Sequence, residues 1–305
     1  MYQHHTPISV AYKIVYRLKG VEQISEPVIH TGRDCVNWLL DQLEEAEERL
    51  MTILFDPKRL VMRPQDEEVF SKAKECYICH KFFKENELKV RDHDHLTGFY
   101  RGAAHSSCNL LLRTQYKIPV FFHNFRGYDS HLLVWGFEHR STKKINIIGQ
   151  GMEKYLLIEW GNHIQFKDSL QFLPDSLERL VENLKSDSID KFTHLKSTFP
   201  SASPNQLALL KQKGIYPYDW MNNEDKLKEE QLPTQAEFDS LLRNEKCSNE
   251  DYERAQTVWK EFEMKTFLEY HELYLKGMPH TINFLASFLF VFKAKITYTI
   301  YWGRD

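Results

Sequence analysis

The chain has no excess of either charge, no long apolar run and too few cysteines for a disulfide framework, and each shortage removes a class of protein. Its 40 basic residues nearly balance 43 acidic ones, giving a formal charge of −3. No global attraction to nucleic acid or to an anionic membrane follows, so any nucleic-acid contact has to come from local patches. The longest apolar stretch, "FLASFLFVF" at 284–292, is closed by Lys293 and Lys295, far short of a bilayer core of about 30 Å. The N-terminal "MYQHHTPISVAYKIVYRLKG" lacks the basic segment and unbroken apolar run of a secretory signal. These features predict an intracellular protein, in nucleus or cytoplasm, with no membrane partner. Repeats and low-complexity tracts are absent, and the five cysteines are odd in number, with Cys76, Cys79 and Cys108 clustered and Cys35 and Cys247 apart. Clustering favours a metal over disulfides.

What is present is enough for a core: 305 residues, 42% apolar and 13% aromatic, predict a globular chain of two domains. Residues 8–17 are β-branched and aromatic and read as a strand, whereas 35–54 repeat apolar positions at Leu39, Leu40, Leu43, Ala46 and Leu50 as an amphipathic helix does. The charged, proline-containing stretch from 56 to 75 reads as a linker. Then "IPVFFHNF" predicts a buried strand, "DSHLLVWGFEH" a helix capped by Asp129, and "INIIG" and "KYLLIEWGNHIQFKDSLQFL" strands with a hairpin at Gly161-Asn162. "DSLERLVENL" reads as a helix, and the polar residues beyond 195 as mostly helical, the last stretch opening near a capping box at Ser248 and Asp251.

The pair Cys76-x2-Cys79 is followed after 25 residues by His105-x2-Cys108. Four such ligands make the closed tetrahedral shell of a structural zinc ion; the alternative is reduced thiols packed in a core. Between the pairs, "RDHDHLTGFYRG" alternates carboxylates and imidazoles, so that Asp92 can hold a hard cation and His93 can take a proton from water. This order of a Cys pair, Asp-His-x-His, Gly, Arg-Gly and a second metal pair followed by Asn resembles the recombination endonuclease VII group of HNH (ββα-metal) nucleases. The resemblance implies Cys76, Cys79, His105 and Cys108 as structural zinc ligands, His93 as general base, and Asp92 with Asn109 as ligands of a catalytic Mg2+. It gives His95 a supporting contact to phosphate or leaving group. His105 stands where that family commonly has cysteine, a substitution zinc tolerates. The resemblance covers about 74–113, and the module can serve as nuclease or as scaffold.

"HNFRGYD" and "DSLQFL" carry a second resemblance. With "KGIYPYDW", "LPTQAEFDSLL" and "EYHELYLK", they are similar to the 3′-5′ exonuclease region of protein-primed family B DNA polymerases of viruses, linear plasmids and transposons, over 118–276. By that resemblance Asp129 binds a catalytic metal, while His123, Asn124, Phe125, Ser169 and Leu170 guide a single DNA strand, Phe125 by stacking. Read from that one motif alone, Asp129 is an ordinary helix cap. The implied fold class is α/β: an RNase H-like exonuclease domain with an inserted zinc-binding ββα module and a helical C-terminal region. Its parts are 1–70 and 116–195 (exonuclease-like), 71–115 (zinc module), 196–276 (helical extension) and 277–305 (a tail unlike the family).

Two departures from that family have consequences. Its first carboxylate motif, Asp-x-Glu in a buried strand, is missing and is expected upstream of Met1; in the third, Tyr274 is present but Met278 stands where an aspartate is expected. A thioether does not replace a carboxylate on a hard cation. The expectation is therefore a fragment of a DNA-directed DNA polymerase with an incomplete exonuclease site and no polymerase motif, binding structural Zn2+, single-stranded DNA and, by descent, a terminal priming protein. The alternatives are a Mg2+-dependent endonuclease at Asp92, His93 and Asn109, and a silent DNA-binding module. Cys35 and Cys247 read as buried or incidental thiols, and His4, His5, His139 and His271 as histidines without a partner.

Overall fold

The computed structural model describes residues 5–18, 21–55, 58–95, 97–113, 117–127, 129–138, 140, 142–151, 154–185, 192–240, 244–277 and 294–304. In chain order, β1 (His5–Leu18), β2 (Val21–Ile24) and β3 (Val28–Thr31) are followed by α1 (Cys35–Phe55) and α2 (Pro64–Lys72). Next come β4 (Lys89–His93), β5 (Tyr100–His105) and α3 (Ser106–Arg113), then β6 (Ile118–Phe122) and α4 (Asp129–Gly136). A meander β7 (Ile145–Gly149), β8 (Tyr155–Trp160), β9 (Ile164–Asp168) precedes α5 (Leu177–Lys185), α6 (Thr193–Thr198), α7 (Pro204–Leu210) and α8 (Asn249–Glu261). A helix over 267–277, α9, and the strand β10 (Ala294–Arg304) complete it.

One mixed sheet runs in the order β2-β1-β10-β6-β9-β8-β7, with β3 also on β1. β6 is parallel to both of its neighbours, whereas β1 is antiparallel to β10 from His5 to Tyr16. The tail expected to be foreign to the rest thus supplies a central strand. Period-2 alternation along β1 explains how the sheet is covered on both faces. Val10 and Tyr12 enter a core with Leu39, Leu40 and Leu43 of α1, Leu133 of α4 and Phe122, Trp160 and Phe166 of the sheet. Ala11 enters a second core built by Tyr216, Met221, Phe267, Tyr270 and Leu275. Helices on two faces of a mixed sheet make the α/β architecture. Apart from Ile8 and Ala11, the buried residues of that second core lie between Tyr216 and Leu275.

Local predictions largely survive. Gly161, at φ +64, turns β8 into β9 as the Gly-Asn pair predicts, and Ser248 Oγ accepts the Asp251 amide at 3.1 Å. Three readings change. The expected linker contains α2, which Pro64 opens at its first turn. "TQAEFDSLLRN" yields only a 3-10 turn, Gln235–Phe238, among the described residues. The long C-terminal helical stretch is cut in two where Glu263 takes φ +51. The apolar segment 284–292, His4, His139 and Met278 lie outside the described residues.

Candidate functional site

β4, β5 and α3 build a ββα unit with antiparallel pairing from Lys89↔His105 to His93↔Tyr100. Cys76 and Cys79 lie on the turn before it, His105 ends β5 and Cys108 sits in the first turn of α3. Their ligand atoms all lie within 4.8 Å of one another. Tetrahedral thiolates at a Zn–S distance of about 2.3 Å stand about 3.8 Å apart, so the four donors need only small adjustments to close on zinc. Imidazole orientation agrees: His105 Nδ1 is 3.5 Å from Cys79 Sγ and 3.8 Å from Cys108 Sγ. Its Nε2 lies 3.1 Å from the Glu87 carboxylate, which places a negative charge behind the ligand without a hydrogen bond in line. Burial pushes the Cys76 thiol up, but the amides of Cys79, His105 and Ile78 outweigh it and bring it down to about 6. Cys108 is pushed up to about 11 by burial and by the neighbouring Cys79 and Cys76. Thiolates this close repel one another unless a cation neutralises them. The residues therefore fit zinc.

α2 is part of this unit. Lys89 Nζ donates to the carbonyls of Phe70 (2.9 Å) and Ala73 (3.2 Å) at the helix C-terminus. Phe70 also meets Tyr100 edge-on at 6.3 Å and carries the Arg91 guanidinium at 4.1 Å. Upstream, Lys58 to Val61 form a strap along the loop after β4: Lys58 N–H donates to His95 O (2.9 Å) and Val61 N–H to Gly98 O (2.8 Å). A Cβ at Gly98 would stand 2.5 Å from the Arg59 carbonyl, and its φ is +80, so this close approach needs glycine.

Asp92, expected as a magnesium ligand, is 4% exposed; the Tyr77 hydroxyl donates to it and Arg101 Nε lies 3.4 Å away. His93 Nε2 is 3.0 Å from the Lys58 carbonyl. A carbonyl only accepts, so Nε2 carries the hydrogen and Nδ1 the lone pair. The His95 ring is buried, 5.1 Å from that of His93. Asn109 is half-buried on α3, which packs against β4 and β5.

The second candidate cluster lies at the carboxyl ends of the parallel strands β6 and β9. β6 is buried throughout; the chain then turns through Asn124, at φ +65, into a short 3-10 turn and α4. Asp168 at the end of β9 is fully buried. Its Oδ1 accepts the amides of Asn124 (2.9 Å) and Leu170 (3.0 Å), and its Oδ2 accepts Arg126 N–H and Nε–H, both at 3.2 Å. His123 Nδ1 is 3.0 Å from Ser169 Oγ, and burial lowers the imidazole's pKa against the pull of the Asp168 charge. Asp129, in the first turn of α4, has its carboxyl pushed up to about 8 by burial and then by Asp168. Asn124 is exposed, Leu170 partly buried and Ser169 buried. Tyr128 lies outside the described residues.

Phe125 corrects an expectation. It is 0% exposed and stacks on Phe122 at 4.9 Å, so it belongs to the core and offers no face to a base. Sequence reading also passed over Asp168 and Glu87. The signal for Asp168 was available, because Ile164, Phe166 and Asp168 share the inward parity of β9, and a carboxylate at an inward position needs a partner. Glu87 carried no such signal.

Residues 59–128 match the family model of recombination endonuclease VII. The match covers the strap from Arg59, α2, the ββα unit, β6 and the 3-10 turn after it, and it makes this region an endonuclease VII-like domain, which suggests a nuclease or DNA-binding role. No curated protein and no solved structure matches the chain. No helix among the described residues is long and apolar enough to cross a membrane.

Proposed function

We propose that the protein binds the 3′ end of a DNA single strand at the carboxyl ends of β6 and β9, on an RNase H-like fold into which the endonuclease VII-like domain is inserted. This is the role of the 3′-5′ exonuclease region of family B DNA polymerases. The observation that carries the reading is the convergence of two motifs 44 residues apart on one carboxylate: Asp168 takes the amide of Asn124 and that of Leu170. Exposed Asn124, half-buried His123 and the Ser169-Leu170 turn thereby gather around Asp168, whose charge also acts on Asp129. Zinc on Cys76, Cys79, His105 and Cys108 is structural in this reading, and Mg2+ is needed only for hydrolysis. A nuclear or cytoplasmic site and a terminal priming protein belong to the same descent.

Hydrolysis by two metals needs several free carboxylates. Of the two acids that meet here, Asp168 already accepts four donors, which leaves Asp129. Zinc-loaded protein with Mg2+ is therefore expected to shorten a 5′-labelled single strand only slowly. Brisk 3′-5′ degradation that Asp129→Ala abolishes would contradict the incomplete site.

The endonuclease VII-like match favours a second reading, a Mg2+-dependent endonuclease in which Asp92 and Asn109 hold the cation and Nδ1 of His93 is the base. Against it stands the engagement of Asp92 by Tyr77 and Arg101. Branched and nicked DNA decide: cleavage lost in His93→Ala and kept in Asp129→Ala supports the endonuclease, and no cleavage of either substrate removes it.

A further inference from the structure

We propose that Asp168 is the positioning residue at the carboxyl ends of β6 and β9: it holds the left-handed Asn124 turn that presents Asn124 and Asp129 to DNA, and is not itself a cation ligand. The inference rests on the reading that these strand ends take a DNA strand. Asp168 is 0% exposed, and each of its oxygens accepts two hydrogen bonds, from the amides of Asn124, Leu170 and Arg126 and from Arg126 Nε. A carboxylate offers about four lone-pair sites, so no acceptor position is left for a metal. Arg126 supplies the countercharge that a buried carboxylate requires, and its Nη1 reaches on to Gln150 Oε1 at 3.3 Å.

The donors come from both strand ends, so the carboxylate clamps two turns at once. Asn124, at φ +65, is in a region that non-glycine residues visit uncommonly and asparagine more readily than most. Two amide bonds, at Asn124 and Arg126, bracket that turn and hold it there. The peptide then enters α4 with Asp129 in its first turn. Charge-assisted bonds of this kind are strong and directional, which is what a group that sets another residue's position needs.

The test compares wild type with Asp168→Asn and Arg126→Met in the zinc-loaded protein. The Asp168→Asn side chain keeps one acceptor oxygen but turns an amide donor toward Arg126, whereas Arg126→Met removes one of the four donors. Amide exchange at 124–126 is expected to quicken at least about tenfold in Asp168→Asn and less in Arg126→Met, with exchange in the zinc domain unchanged. Affinity for a single-stranded oligonucleotide should fall about tenfold in Asp168→Asn. Any tightening of that binding by Mg2+ should weaken in Asp168→Asn in step with the exchange at 124–126, and vanish in Asp129→Ala with that exchange unchanged, a coupling that a merely structural role would not produce. Unchanged exchange at 124–126 in Asp168→Asn overturns the positioning role. Loss of the Mg2+ effect in Asp168→Asn with exchange unchanged makes Asp168 a ligand instead. Wild-type protein that binds no single strand overturns the DNA reading beneath the inference, while the exchange result still decides whether Asp168 holds the turn.

Discussion

Buried His271 and partly buried Asp129 are titratable groups of opposite kind, and they tilt stability with pH in opposite directions. His271 bridges Ser9 Oγ and Tyr216 OH at 2.7 Å each, and burial drives its pKa from 6.5 down to about 3. Below about 6.5 the unfolded chain takes up a proton that the folded one refuses, so stability falls as pH drops, by up to about 1.4 kcal/mol per unit. Asp129 does the reverse. The unfolded carboxyl ionises above 3.8 and the folded one only near 8, so its contribution declines as pH rises between them. Urea titrations should therefore find Asp129→Asn more stable than wild type at pH 7 by at least about 1 kcal/mol, with the gap closing at pH 4. His271→Gln should flatten the acid limb of the same curve. At the metal centre, Glu87→Gln removes the charge behind His105 and should weaken zinc affinity about tenfold in a chelator competition, with the four ligands intact.

At the scale of elements, the endonuclease VII-like domain has little apolar interior of its own. Among the described residues of its metal-binding part, 58–113, Phe70, Cys76, Ala103 and Ala104 are the buried apolar ones, while Val61, Phe82, Leu88, Phe99, Leu110 and Leu111 are exposed. A unit of this size needs its metal as a staple. Chelation or Cys76→Ser should thus open residues 58–113 to amide exchange while β6, β8 and β9 stay protected. Simultaneous loss of protection in the sheet would mean that the two are one cooperative unit. Phe70→Ala, which removes the contact between α2 and the hairpin, should cost about 3 kcal/mol and lower zinc retention with it.

The whole molecule is held by a sheet whose central strand comes last in the chain. β10 lies between β1 and β6, so truncation after Lys276 leaves the long edge of β1 and the short edge of β6 unpaired. The truncated protein should bind a hydrophobic dye and lose its cooperative thermal transition. A well-folded truncation would show that β10 is dispensable. Much of this plan was legible in residues. The cysteine and histidine pairs announce their site by spacing, and β1, α1, β6 and the β8–β9 hairpin follow from periodicity and turn chemistry. What was not legible depends on distant partners. His271, which reads as partnerless, meets Ser9 262 residues away; Phe125 sits inside a polar-looking motif yet packs inward; and the place of β10 follows from pairing that no local pattern encodes. Asp168 shows its inward parity in the sequence, but its four donors emerge only when two strand ends meet.

Single-strand preference tests the central claim most directly. Fluorescence anisotropy of the zinc-loaded protein with equal lengths of labelled single-stranded and duplex DNA, repeated across a salt series, should give tighter binding to the single strand. Asn124→Ala should weaken that binding about tenfold, and His93→Ala should leave it unchanged. Equal or tighter duplex binding that depends on His93 and not on Asn124 would contradict it and move the DNA site to the ββα domain.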